Sequence, residues 1–268
     1  MQSAPPTTAR SSARTLVPHE HGAYGQLAMP LLTALAIGHP GAASLALTVS
    51  IVLAFVAHES LLVVLGQRGK RALENDGPRA RRLLATLGTL FTLSGAMGYA
   101  LAPASARWAL LVPSALAILV GWLVVRRLEK TTAGEMAVAA TLSSCGIPVA
   151  LASGVSLARA IACFVTWVLA FVAATLAVQV VLVRARSKGR RDPGRAYAAI
   201  AGTLLAGAFA AVPLAGLPSA APVALAPSAL LSATVCLTRF SPKRLRELGW
   251  AMVGSGVLTM ALLVVGLR

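Results

Sequence analysis

Apolar residues in this chain come in long runs. Stretches of about 20 residues dominated by Ala, Leu and Val recur along its length, separated by short segments rich in Arg, Lys, Pro and Gly. At 1.5 Å per residue a helical run of that length crosses a hydrocarbon core of roughly 30 Å. The runs show no period-two alternation, so barrel strands are excluded, and in lipid every backbone donor and acceptor must then be satisfied within a helix. The pattern predicts an all-α membrane protein, a bundle of nine transmembrane helices. The expected spans are at about 22–38, 43–65, 84–103, 107–125, 134–153, 159–183, 196–216, 219–238 and 249–267, in one domain from 18 to 268.

The interruptions have local causes. His39-Pro40-Gly41 parts the first two spans, Pro103 ends the third, and Leu217-Pro218 parts the seventh from the eighth. Asp192-Pro193 and Ser241-Pro242 each read as an N-cap followed by proline at the first helical position. Gly146-Ile147-Pro148 and Gly154 mark close helix packing or a break in the fifth span. Residues 196–238 read as two spans, with a re-entrant pair as the alternative.

Composition supports this reading. Hydrophobic residues make up 57% and charged residues only 12%, with a mean hydropathy of +0.78, whereas soluble domains carry about 25% charged residues. The net charge of +16 does not point to nucleic acid, because the basic residues sit in short segments between spans. With the N-terminus inside, 21 of the 24 lysines and arginines face the cytoplasm, leaving Arg107, Arg159 and Arg268 outside. That bias fixes orientation and predicts a multi-pass membrane protein with its N-terminus in the cytoplasm. All eight acidic residues lie at or near the same face. Cys145, Cys163 and Cys236 fall inside apolar runs without CxxC spacing and read as buried free thiols. Residues 1–17 read as a disordered cytoplasmic tail rather than a signal peptide, since polar His19-Glu20-His21 follows in place of a cleavage site.

Candidate chemistry gathers at the basic face. His19, Glu20 and His21 open the first span, and His58-Glu59 lies about 12 Å inside the end of the second. A carboxylate at that depth costs about 2.5 kcal/mol or more at a helix centre and needs a partner in the bundle. If the first two helices pack antiparallel, His21 approaches His58 and Glu59. A polar clamp, a substrate or proton site, and a metal site on His21, His58 and Glu59 all stay open. Segments 67–82 and 184–195 each carry six basic residues; Arg68, Arg71, Arg127 and Arg184 are candidates to hold an anionic head, or the segments serve topology and anionic lipid. Thr132 and Glu135 have capping-box spacing, so Glu135 is either a cap or a ligand contact.

The stretch from Leu16 to Gly38, with Pro18, His21, Gly22 and Ala23 followed by Pro30, closely resembles the start of the YwiC-like family of bacterial membrane proteins. Arg126–Gly154 looks like that family's middle region, so the resemblance is expected to cover the whole membrane part. It implies a multi-pass protein of the bacterial inner membrane and names no activity. A more distant similarity, to UbiA-type prenyltransferases, rests on nine helices, a proline midway along the first, and a basic-threonine segment leading to Gly-x-Pro in the fifth. Here those are Pro30, Arg126–Thr132 and Gly146–Pro148. It implies a divergent UbiA-like fold and prenyl diphosphate bound through magnesium by aspartate-rich loops after helices two and six. Those loops offer only Asn75 and Asp76, then Asp192, so magnesium in the usual two-site form is not expected, and no other cofactor is.

The reading that results is a membrane protein with a polar, basic cavity open to the cytoplasm. It takes an amphipathic anion such as an isoprenoid phosphate or quinone-like lipid, and if an enzyme it is prenyltransferase-like. Its candidate lining is His19, His21, His58, Glu59, Arg68, Arg71, Asn75, Asp76, Arg127, Glu135 and Arg184. The alternative is a small-solute transporter or an accessory subunit. Membrane lipid is the expected partner in every case.

Overall fold

The computed structural model describes Leu16, residues 21–187, 192–238 and 240–268; the side chain of His21 is outside that set. Its helices are α1 (His21–Ile37), α2 (Ala42–Val64), α3 (Lys70–Leu101), α4 (Ala104–Ala109), α5 (Leu111–Val125), α6 (Thr132–Ser144), α7 (Gly146–Ala152), α8 (Leu157–Arg186), α9 (Gly194–Ala215), α10 (Ala220–Leu237) and α11 (Leu245–Leu267). No strand occurs among the described residues. Helices α4 and α5 run on as one pass, as do α6 and α7, giving nine passes. Eight are long and apolar enough to cross a membrane; α1, with 17 residues, spans about 25 Å. The chain is an all-α membrane bundle. Every apolar run falls on a helical pass, and α9 and α10 each reach crossing length, which favours two spans over a re-entrant pair.

The helix ends need correction. The segment 67–82, expected as a basic loop, is helical from Lys70 onward. Gly66 (φ 73°) and Gly69 (φ 92°) reverse the chain in the left-handed region, where a Cβ is costly. Beyond them Leu73, Gly77, Ala80 and Leu84 fall on one face at helical spacing, a stripe that the surrounding charges obscure in a plain hydropathy reading. The cap of α6 is Thr131, not Thr132: its hydroxyl accepts from the Gly134 amide at 3.1 Å. Of the two proline-marked starts, Ser241 caps the 3₁₀ turn Pro242–Arg244, whereas α9 begins one residue later than expected, with Pro193 at the N-cap and Asp192 Oδ1 accepting from the Gly194 amide at 2.9 Å.

One apolar core fills the half of the bundle away from the basic segments. Leu31 and Ala34 of α1, Leu47 of α2, Val149 of α7, Trp167 of α8, Leu225 of α10 and Leu263 of α11 all belong to it. Lipid tails are as apolar as these side chains, so close packing and internal hydrogen bonds, more than the hydrophobic effect, hold the helices together. Gly146 sits against the Pro30 carbonyl, where a Cβ would lie 3.2 Å from that oxygen; the expected break at Gly146-Ile147-Pro148 thus coincides with close packing of α7 on α1. The fully buried Trp167 donates through Nε1 to Thr33 Oγ1 at 3.1 Å, and Thr33 donates to the Met29 carbonyl at 2.7 Å.

Toward the basic end the core divides. Ala177, Val180 and Val181 of α8 pack with Val235, Cys236 and Leu248 in one cluster. Val63 of α2 and Ala80 of α3 form another with Leu16, the one described residue of the N-terminal tail. Helices α2 and α3 pack along each other and reach the remaining helices mainly through α7, at the far half, with only sparse contact to α1. Exposed Tyr99 and Trp108 mark one boundary of the apolar belt, Trp122 and Trp250 the other.

Candidate functional site

The basic face carries three internal polar links, each on a different set of helices. The first ties the α2–α3 turn back to the body of α2. Arg68 donates to both carboxylate oxygens of Glu59, with Nε to Oε1 at 2.9 Å. The Glu59 side chain is 7% exposed and that of Arg68 32%, so the guanidinium sits at the mouth of the link and the carboxylate beneath it. Both carboxylate oxygens are engaged, which weighs against Glu59 as a metal ligand. His58 lies on the exposed side of the same turn of helix. Tyr24 of α1 meets Phe55 edge-on at 5.1 Å, one turn from His58, so the basic ends of α1 and α2 do approach each other. His19 lies outside the described residues, as does the side chain of His21.

The second link crosses from α8 to α6. Gln179 Nε2 donates to Glu135 Oε2 at 3.1 Å. Glu135 lies one residue beyond the amide that Thr131 caps, so its carboxylate bridges helices instead of capping one. Gln179 has no counterpart among the expected site residues; its signal was a lone amide inside a long apolar run.

The third link accounts for Arg184. Its Nε donates to Asp192 Oδ1 at 2.8 Å, and its terminal nitrogens donate to the carbonyls of Thr238 and Cys236, both at 2.6 Å. Those carbonyls close α10, where the last C=O groups of a helix lack intrahelical partners. A Cβ on Gly194 would collide with the Arg184 guanidinium and the Cys236 carbonyl, so only glycine lets α9 start this close. Arg184 is thus a clamp on α8, α9 and α10.

The segment between α5 and α6 is built differently. The Arg127 amide donates to the Val124 carbonyl at 2.9 Å and the Leu128 amide to the Leu123 carbonyl at 2.8 Å, the paired bonds of a Schellman helix end. That end needs a left-handed residue, and Arg127 takes it with φ 57°. The same paired bonds close α2 at Gly66 and α7 at Gly154, where the chain uses glycine. Arg127 is the one non-glycine with positive φ among the described residues, and its side chain is exposed. Next to it Arg126 stacks over Trp122 at 5.5 Å, and Glu129 holds a buried Oε2 without a hydrogen-bond partner among the described residues.

Arg71 and Asn75 are exposed on the first turns of α3, and Asp76 is half-buried there. Asp192 is engaged by Arg184 and the Gly194 amide. A two-magnesium diphosphate site needs several carboxylates converging on the metals; among the described residues Asp76 stands on α3 and Asp192 is held at the start of α9. Among the described residues no three His, Cys, Asp or Glu gather as a metal-binding group.

No curated protein matches the chain, nor does any solved structure. A family model described as YwiC-like protein matches residues 17–150. The match takes in the first four passes and nearly all of the fifth, including most of both stretches that carry the sequence resemblance, and stops short of the remaining four. With half its length matched, the chain belongs to the YwiC-like family.

Proposed function

We propose that the basic face is cytoplasmic, in a bacterial inner membrane, and that it binds an amphipathic anion of the isoprenoid-phosphate or quinone-like type. Arg127 is the principal cation for the head. The observation that carries this reading is the left-handed conformation of Arg127. A non-glycine residue in that region costs about 1–2 kcal/mol, and the chain avoids the cost at Gly66 and Gly154. An exposed arginine kept at such a position has a use for its guanidinium, and a forked donor suits phosphate or carboxylate oxygens.

The divided core supports a place for the tail of the ligand. Among the described residues the α2–α3 cluster and the α8–α10–α11 cluster share no apolar packing in the basic half, which favours a cleft there bordered by the start of α1 and by α6. In this reading His58 lines the cleft, Arg71 adds charge at its rim, and Arg68 and Arg184 serve as structural clamps. The acidic residues argue for an anion held directly by arginine, without a magnesium pair. A divergent UbiA-like fold fits the nine passes and this site placement.

The test is thermal stability of the purified full-length chain with farnesyl diphosphate, with and without magnesium. A ligand at a hundred times its dissociation constant stabilises by about 2.7 kcal/mol, and the shift is expected without magnesium. No shift at saturation removes the isoprenoid reading.

A transporter is the second reading. The observation that favours it is the break before Gly146, packed on α1 at Pro30, since broken helices inside the bilayer often form transport sites. Uptake of a solute into proteoliposomes, unaffected by Arg127→Gln, supports transport over anion binding.

A further inference from the structure

The structure points to a second binding surface, distinct from the cleft: we propose that Arg79, Arg81 and Arg82 of α3 form a site for anionic phospholipid headgroups. Helix α3 has 32 residues and is about 48 Å long, well beyond a 30 Å hydrocarbon core. Tyr99 marks its far boundary. At 1.5 Å per residue the three arginines lie about 25–30 Å from Tyr99, which puts them at the opposite headgroup layer. Lys70 lies about 14 Å further along the helix, beyond the headgroups.

The helix presents these arginines outward. Gly77 and Ala80 face inward and are buried, with Ala80 packed on Val63 and Leu16. At about 100° per residue Arg79, Arg81 and Arg82 spread over roughly 160° of the side away from Ala80. All three are exposed. Among the described residues no carboxylate pairs with them, although Arg68, Arg184 and Arg244 each hold one. Because α3 packs almost wholly on α2, its outer side stands against lipid. Three unpaired forked donors at headgroup depth, on a helix held rigid by its partner, match the phosphodiester and negative charge of an anionic lipid.

The test uses the full chain in detergent, titrated with phosphatidylglycerol and with phosphatidylcholine, and read by native mass spectrometry. Phosphatidylglycerol is expected to bind more tightly, and less so as ionic strength rises. Each Arg→Gln change at 79, 81 or 82 is expected to weaken it about five-fold, and the three together about a hundredfold. Lys70→Gln, beyond the headgroups, is expected to change it less than two-fold. The single Arg82→Gln variant gives the answer if the triple variant does not fold. Equal affinity for the two lipids overturns the site, as does an Arg82→Gln or triple variant with undiminished phosphatidylglycerol binding. Competition by millimolar inorganic phosphate overturns it in favour of a free-anion site. Loss of farnesyl diphosphate binding in Arg82→Gln overturns its separateness from the cleft.

Discussion

Arg68 turns back across the α2–α3 turn and holds both carboxylate oxygens of Glu59. The two partners are unequal, because Glu59 is enclosed and Arg68 is about one-third exposed. Removing the arginine takes a charged partner from an enclosed carboxylate, whereas removing the acid leaves a guanidinium free to move toward water. Arg68→Gln is therefore expected to cost about 2–3 kcal/mol of stability and Glu59→Gln about 1 kcal/mol. Unfolding in detergent by denaturant measures both. Equal losses contradict the enclosed position of the acid.

At the other side of the face Gly194 leaves room for the Arg184 clamp. Gly194→Ala is expected to destabilise by about 2–3 kcal/mol through overpacking against the guanidinium and the Cys236 carbonyl. Arg184→Gln uncaps α10 and takes the guanidinium from Asp192, with a similar loss. The double variant is expected to cost less than the two added together, since both changes act on one contact. A thermal melt of the four proteins gives the coupling.

The Glu135–Gln179 bridge predicts a contrast between conservative and apolar changes. Glu135→Gln keeps an acceptor for the Gln179 amide and is expected to cost under about 1 kcal/mol. Gln179→Leu leaves the half-buried carboxylate without this donor and is expected to cost about 1–3 kcal/mol. Equal tolerance of both in a melt shows that the bridge does not hold α6 to α8.

The spans were legible because a run of 20 apolar residues has few alternatives once lipid is the solvent. The break at Gly146 and the cap at Ser241 were legible for a similar reason, since proline and glycine act locally. Partners across helices were not. Arg184 and Arg127 look alike in sequence, each a basic residue at the end of a span. One meets a helix terminus supplied by residues more than 50 positions away, and the other terminates its own helix. The first 13 residues of α3 were misread because their charges mask a sparse stripe of Leu73, Gly77 and Ala80. Gln179 was overlooked because a single amide changes hydropathy little, though inside a membrane it must find a partner.

The central claim is that Arg127 keeps a costly backbone conformation for the sake of an anion, and Arg127→Gly separates the two. The measurement is thermal stability of this variant with and without farnesyl diphosphate, beside the parent protein. Glycine relieves the left-handed strain, so the unliganded variant is expected to be more stable by about 1 kcal/mol, while the ligand-induced shift seen in the parent is lost. A variant that gains stability and keeps the full shift contradicts the claim, and leaves Arg127 as a helix end that glycine fills better.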